Sequence, residues 1–209
     1  MIRVLVADDH AIVREGVKNI LNSAPDIQVV CDVDDGHAVL KALETQDVDV
    51  VLLDISMPGL PGLDTLKRIK ERTPGLPVLM LSVHPEELYA VRSLKAGASG
   101  YLTKASVPEE LIDAVREARK GGKYITKALA WLLAESVSQA SGQPLHETLS
   151  DREYQVLRLI AKGNTVSAIA QQLALSVKTV STYRARILDK MKMKTNAELT
   201  YYAVENGLV

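Results

Sequence analysis

The feature that most constrains this chain is a series of apolar runs separated by segments of helical period. Val4-Leu5-Val6-Ala7 ends in Asp8-Asp9, and Val48-Asp49-Val50-Val51-Leu52-Leu53 closes on Asp54. A run that is apolar at successive positions leaves neither face wet, so it reads as a strand inside a parallel sheet covered by helices. Strand-like runs lie at 2–7, 27–33, 48–54, 77–82 and 99–103, with helical patterns near 11–23, 36–46, 63–73, 85–96 and 107–120. Five such units predict an α/β fold, a five-stranded parallel doubly wound (βα)5 domain, because right-handed crossovers put helices on both faces. The breakers Pro25, Pro58-Gly59, Pro61-Gly62, Pro74-Gly75, Gly97 and Gly121-Gly122 all fall between periodic segments.

Parallel strands present their carboxyl ends on one side, where ligands of open α/β sheets bind. Asp8, Asp9 and Asp54 brought to that edge would repel one another unless a divalent cation sat among them. The pattern predicts a hard-metal site with an exposed carboxylate open to modification. His10, directly after the acids, reads as a helix-opening residue, with a ligand role as the alternative. With 47% hydrophobic residues but no Phe and one Trp, the core must be mostly aliphatic. The single cysteine, Cys31, excludes an internal disulfide and a Cys-rich zinc site, and its apolar run predicts a buried thiol. There is no signal-peptide pattern, and no apolar run approaches the ~18 residues of a membrane span, so the expectation is a cytoplasmic chain with no membrane partner.

The charge is uneven. Residues 1–144 carry 16 Lys+Arg against 20 Asp+Glu and residues 145–209 carry 9 against 6, so net charges of −4 and +3 make up the overall −1. An acidic front and a basic tail point to two tasks. Residues 127–139 look helical, and Ser138 to Pro144 then loses periodicity in the manner of a flexible linker. Beyond it the pattern is all helix. Ser150-Asp151-Arg152-Glu153 has the form of a capping box, Gly163 stands where a helix ends, and Ser176 is a good N-cap for a helix to about Met191. A short helix at about 166–174 and a last one from Asn196 to Glu205 complete an all-α unit of about four helices. The boundaries expected are 1–122, a linker with a short helix at 123–147, and 148–209.

Asp8-Asp9, Asp54 with Met57-Pro58-Gly59, Ser82 after the fourth strand, and Ala96 to Lys104 together resemble the receiver domain of two-component response regulators. The resemblance implies Asp54 as phosphoacceptor, with Mg²⁺ held by Asp9 and Asp54, by Asp8 through water, and by the Ser56 carbonyl. It implies that Ser82 and Lys104 contact the phosphoryl group and that Tyr101 is the aromatic switch. His84 is read as tuning phosphoryl loss. The chemistry suits these residue types: a carboxylate forms an acyl phosphate, and positioning plus cations stabilise the transferring group. Receivers often carry a cis proline after the lysine. Ala105 stands there, so a trans, differently shaped loop is expected.

Leu149 to Glu153, Ala161-Lys162-Gly163, Ile169 to Leu173, Leu175 to Val180 and Ile187 to Met191 resemble the LuxR-type helix-turn-helix. Its pairing with a receiver matches the NarL/FixJ-type regulators. The implied function is a DNA-binding transcriptional regulator, not an enzyme on external substrates, phosphorylated by a sensor histidine kinase. Its implied partners are promoter half-sites on double-stranded DNA and RNA polymerase, with homodimers forming on phosphorylation. On the helix after Ser176, Val180, Ile187, Leu188 and Met191 form the inward stripe. Lys178, Thr179, Ser181, Thr182, Arg184, Ala185, Arg186 and Lys190 are the DNA-contact candidates. Two departures from the family pattern are Ala168 before Ile169-Ala170, where an acid is usual, and Met191-Lys192, where Leu-Gly is usual. The rival readings are a DNA binder that needs no phosphorylation, using its front domain only to dimerise, and an α/β phosphohydrolase. The second lacks an Asp at position 56.

Overall fold

The computed structural model describes residues 1–83, 86–106, 108–138 and 144–209. Two compact units divide the chain, Met1–Val137 and Ser138–Val209. The proposed tuning role of His84 and residues 139–143 of the expected linker lie outside the described residues.

The first unit alternates strand and helix: β1 Ile2–Ala7, α1 Ala11–Asn22, β2 Ile27–Val33, α2 Gly36–Thr45, β3 Val50–Asp54, α3 Gly62–Arg72, β4 Val78–Ser82, α4 Glu86–Lys95, β5 Gly100–Thr103 and α5 Pro108–Arg119. The strands form one parallel sheet in the order β2-β1-β3-β4-β5. β3 and β4 are buried at every position, which is why their sequences are apolar without alternation. The core is aliphatic as expected: Val4, Val6, Leu21, Val50, Leu52, Leu79, Leu102 and Val115 pack together, and Tyr101 is the largest fully buried side chain. β2 is an edge strand with one residue buried, and here one expectation fails. Cys31 is half-buried, because an edge strand is covered less than the strands beside it.

Two glycines set the packing. A Cβ on Gly36 would lie 2.1 Å from Thr65 Oγ1 and 2.5 Å from the Leu60 carbonyl oxygen, so α2 can meet the start of α3 only through a bare backbone. A Cβ on Gly62 would lie 1.9 Å from the carbonyl oxygen of Asp54. After α5, Tyr124 bridges to Gly100 beside β5, and α6 spans Lys127–Ser138. Among the described residues all peptide bonds are trans, including the one after Lys104.

In the second unit a 3-10 turn at Leu145–Thr148 leads to α7 Asp151–Ala161, α8 Val166–Gln172, α9 Val177–Lys190 and α10 Asn196–Glu205. The caps are local and strong. Ser150 accepts from the Glu153 amide while Glu153 receives the Ser150 amide, and Thr165, Ser176 and Thr195 cap the next three helices through their hydroxyls. Gly163 ends α7 at φ +83°. Val156, Leu157, Ile169, Val180, Ile187, Met191, Leu199 and Ala203 form the core. Ala170, 3% exposed, is a small residue on the buried face of α8, which packs against α9. Leu188 is only half-buried, at the margin of the stripe it was expected to complete.

Candidate functional site

Because β1 and β3 are neighbours, their ends bring Asp8, Asp9 and Asp54 to one point of the sheet edge, where the strand order reverses. One ligand atom from each of Asp8, Asp9, His10 and Asp54 lies within 4.8 Å of all the others. Asp54 is 1% exposed, which corrects the expectation of an exposed carboxylate. It sits at the floor of the site because β3 is covered on both faces to its last residue. Lys104, delivered by the end of β5, places its Nζ 2.6 Å from Asp8 Oδ2 and 3.0 Å from Asp54 Oδ2. Burial pushes the Asp54 carboxyl above its usual range; Lys104 opposes the shift, Asp8 adds to it, and a hydrogen bond from the Ser56 amide also opposes it. The second carboxylate oxygen, Asp54 Oδ1, is buried and accepts no hydrogen bond.

These donors fit a hard cation. All three acids offer oxygens, one lysine cannot neutralise three carboxylates, and a buried acceptor without a partner is costly. Ser82 is fully buried at the end of β4, paired in register with Thr103, and its carbonyl accepts the Lys104 amide at 2.7 Å. Tyr101, 0% exposed, lies in β5 opposite Met80. His10 takes the N-cap position of α1 without a side-chain cap, so it does open the helix, and its ring turns back to the acids.

In the second unit α9 presents Lys178, Ser181, Thr182, Ala185 and Arg186 to solvent, while Val180 and Ile187 face inward. Lys178, Thr179, Thr182, Tyr183 and Arg186 line a shallow depression of about 300 Å³ along this face. Some of the expected contacts are already engaged. Thr179 Oγ1 pairs with the Ser176 hydroxyl at 2.7 Å, and Thr182 Oγ1 donates to the Lys178 carbonyl at 3.0 Å. Arg184 donates to Asn196 Oδ1 at 2.6 Å, and Lys190 is held by Glu153 Oε2 at 2.7 Å. Burial of Glu153 raises its carboxyl, but Lys190 and Ser150 more than offset this, so its pKa lies below the usual value.

The two units match two family models. Residues 4–116 match the response regulator receiver domain, and residues 147–203 match the bacterial regulatory proteins of the luxR family. The chain belongs to the response regulators. It is 39% identical over 209 residues to the response regulator UvrY of Escherichia coli strain K12, covering all of this chain and 96% of that one. It is 38% identical over 210 residues to the response regulator GacA of Pseudomonas aeruginosa, covering all of this chain and 98% of that one. Among solved structures it resembles RcsB of Salmonella enterica serovar Typhimurium bound to promoter P1flhDC in the presence of the phosphomimetic BeF3−. That match has a TM-score of 0.62 at 30% identity and covers 96% and 97% of the two chains. The regulator thus joins a doubly wound receiver to a LuxR-type helix-turn-helix, and its function is that of a two-component response regulator with a DNA-binding output.

Several residues at the two sites escaped the sequence reading. Arg14 donates Nη1 to the Asp8 carbonyl at 2.6 Å and Nε to Asp32 at 3.2 Å, clamping the backbone that carries the first acid. The only local signal was its place one helical turn after His10, where charged residues are common. Gly62 carries no signal beyond its place in a Pro-Gly turn, yet it permits α3 to start against Asp54. On α9, Tyr183 and the exposed Val177 belong to the outward face. Val177 was readable as the first helical residue after Ser176.

Proposed function

We propose that this response regulator is switched by phosphoryl transfer to Asp54 from a phosphohistidine of a sensor histidine kinase. A carboxylate oxygen of Asp54 forms the new P–O bond while the donor's P–N bond breaks, leaving an acyl phosphate. The observation that carries this reading is the Asp54 carboxylate itself, with one oxygen on Lys104 and the other buried and unpartnered at the ends of adjacent strands. Asp9, Asp54 and the Ser56 carbonyl would hold Mg²⁺ directly, and Asp8 through water. When bound, that ion neutralises charge on the phosphoryl oxygens. Lys104 leaves its two carboxylates to pair with the phosphoryl group, and the Ser82 hydroxyl donates to it. Tyr101 is the aromatic switch, buried here, whose surroundings change when Ser82 moves. The receiver is not an enzyme on external substrates, although it assists the gain and loss of its own phosphoryl group.

The output is transcriptional. Residues 148–209 bind promoter half-sites on double-stranded DNA, with Lys178, Thr179, Arg186 and Lys190 near phosphates and Ser181, Thr182, Arg184 and Ala185 near bases. Residues 1–122 form the receiver and 123–147 the linker with its helix. Phosphorylation favours homodimers that engage two half-sites and RNA polymerase in the cytoplasm; support for the dimer on DNA comes from the similar RcsB, whose dimers are bound to DNA. The test is intact mass after incubation with a small acyl phosphate and Mg²⁺, wild type against Asp54→Asn. One Mg²⁺-dependent phosphoryl adduct on the wild type alone, with tighter DNA binding, is expected. An adduct that survives the substitution refutes the assignment of Asp54. DNA affinity equal in the two states would favour a regulator that does not need phosphorylation.

A further inference from the structure

We infer that the centre of the outward face of α9 reads thymine 5-methyl groups, through the Thr182 methyl and the Ala185 side chain. The inference rests on the reading above of α9 as the helix that meets the bases, and names the feature of the duplex it recognises. Thr182 and Ala185 are both exposed and three residues apart. They lie about 60° apart around the helix and about 4.5 Å apart along it. Val180 and Ile187, both 0% exposed, face the opposite way, so the pair stands in the middle of the exposed side. Bases on one strand are about 3.4 Å apart along the duplex, so two such groups meet neighbouring base pairs.

This centre is apolar for two reasons. Thr182 Oγ1 donates to the Lys178 carbonyl at 3.0 Å, the intrahelical bond that threonine makes one turn back. Its proton is therefore engaged, and the methyl is the other group at the end of this exposed side chain. Ala185 offers only its Cβ and puts no long side chain between the helix and the groove floor. The polar side chains around the pair are held elsewhere or stand at the edges. Arg184 donates to Asn196 Oδ1 at 2.6 Å, and Thr179 Oγ1 pairs with the Ser176 hydroxyl at 2.7 Å. Lys178 and Arg186 flank the pair, where long cations reach phosphates. Asp189, exposed one turn after Ala185, is repelled by phosphates and closes the reading face. α9 holds no Asn or Gln, the residues that recognise adenine bidentately. Thymine alone carries a methyl in the major groove, and alanine and the threonine methyl are groups that contact it.

The test uses the full chain treated with a small acyl phosphate and Mg²⁺ to enrich a duplex from a pool of random sequence. Each thymine of that duplex is then replaced singly by deoxyuridine, which lacks only the 5-methyl. Thymines of two adjacent base pairs in each half-site should bind about fourfold weaker as uracil, the order expected for one methyl out of contact. Thr182→Ser keeps the hydroxyl and loses the methyl, so it should cease to distinguish thymine from uracil at one of these positions. Thr182→Val keeps the methyl and loses the hydroxyl, so it should still discriminate there by about fourfold. Ala185→Gly should lose discrimination at the other position. Each ratio compares two duplexes on one protein, so a change in helix stability cancels. Uracil bound as tightly as thymine throughout overturns the inference, as does discrimination that survives Thr182→Ser and Ala185→Gly or is lost in Thr182→Val. If that happens while Lys178→Ala still weakens binding to the enriched duplex, α9 remains the groove helix and only the methyl reading fails. If Lys178→Ala and Arg186→Ala leave that affinity unchanged, or no duplex is enriched, both readings fail.

Discussion

Replacing Gly62 with Ala tests whether the fold itself holds Asp54 in place. The added Cβ would lie 1.9 Å from the Asp54 carbonyl oxygen, 2.8 Å from its carbonyl carbon and 2.9 Å from Ile55 Cα. Contacts to a Cβ stay beyond 3.0 Å in practice, so α3 and the end of β3 must separate by the difference, about 1.1 Å. All three atoms are backbone, so no rotamer change relieves the clash. The Gly62 amide, which donates to the Ile55 carbonyl at 3.1 Å, is strained by the same movement. Overpacking of this kind costs about 3 kcal/mol, the upper end of its usual range. At roughly 4 °C per kcal/mol for a unit of this size, Tm falls by about 12 °C. A displacement of about 1 Å at a reacting group also slows chemistry by roughly a hundredfold, so adduct formation from an acyl phosphate should drop by that order even where the variant is folded. Gly16→Ala is the control. It lies mid-helix in α1 with nothing within 4 Å of an added Cβ, and should gain about 0.5–1 kcal/mol with normal phosphorylation. Calorimetric melting together with intact-mass kinetics gives both readouts. A Gly62→Ala protein that melts within 2–3 °C of wild type (well under the ~12 °C shift expected) and is phosphorylated at the normal rate would refute the close-approach argument.

Other outcomes follow from the second unit. Lys192 (φ +55°) and Ala174 (φ +52°) hold left-handed backbone that favours glycine, so Lys192→Gly and Ala174→Gly should each stabilise by about 1 kcal/mol in urea unfolding followed by circular dichroism. A loss of stability in either would show that the side chain contributes more than the backbone strain costs. Glu153, whose folded pKa lies below its ordinary 4.5, contributes stability that is present above pH 4.5 and lost as pH falls through the lower folded value. Glu153→Gln should flatten that acid limb of the stability curve, and an unaltered limb would assign it to other carboxylates. Lys178→Ala and Arg186→Ala should each reduce the salt dependence of DNA binding by about one unit of slope. Lys190→Ala should change it less, since its ammonium is committed to Glu153. Equal slopes for the three variants would show that this ion pair opens on DNA.

Much of this architecture is legible without coordinates because its determinants are local. Consecutive apolar residues at 50–53 and 78–81 state that both faces of a strand are covered, and Ser150, Glu153, Gly163 and Ser176 state where helices begin and end. Each signal acts within a turn or a strand length. The acids at the ends of β1 and β3 are legible for the same reason, since parallel strands put their ends on one edge wherever those strands lie in the sheet. The absence of glycine after Met191 was also legible. The backbone there turns left-handed all the same, at Lys192, because Met191 and Leu199 must both reach the core.

What the chain could not declare locally is decided by the strand order and by distant segments meeting. That order sets β3 between β1 and β4, which buries Asp54 to 1% exposure and leaves Cys31 on a half-covered edge. Lys104 serves Asp8 as well as Asp54 because its side chain reaches from the edge strand β5 past the end of β4 to the ends of β3 and β1, and Arg14 reaches the Asp8 carbonyl because α1 folds back over its own strand. Gly62 is required only once α3 lies against the Asp54 backbone. Lys190 and Arg184 are drawn to Glu153 and Asn196 only once α7 and α10 flank α9. The sequence by itself determined which segments are strands and helices, since that choice is settled by hydrophobic period and capping over a few residues. The tertiary structure alone decided which charges neutralise one another and which backbones touch, because those energies depend on distances between residues as far apart in the chain as Asp8 and Lys104.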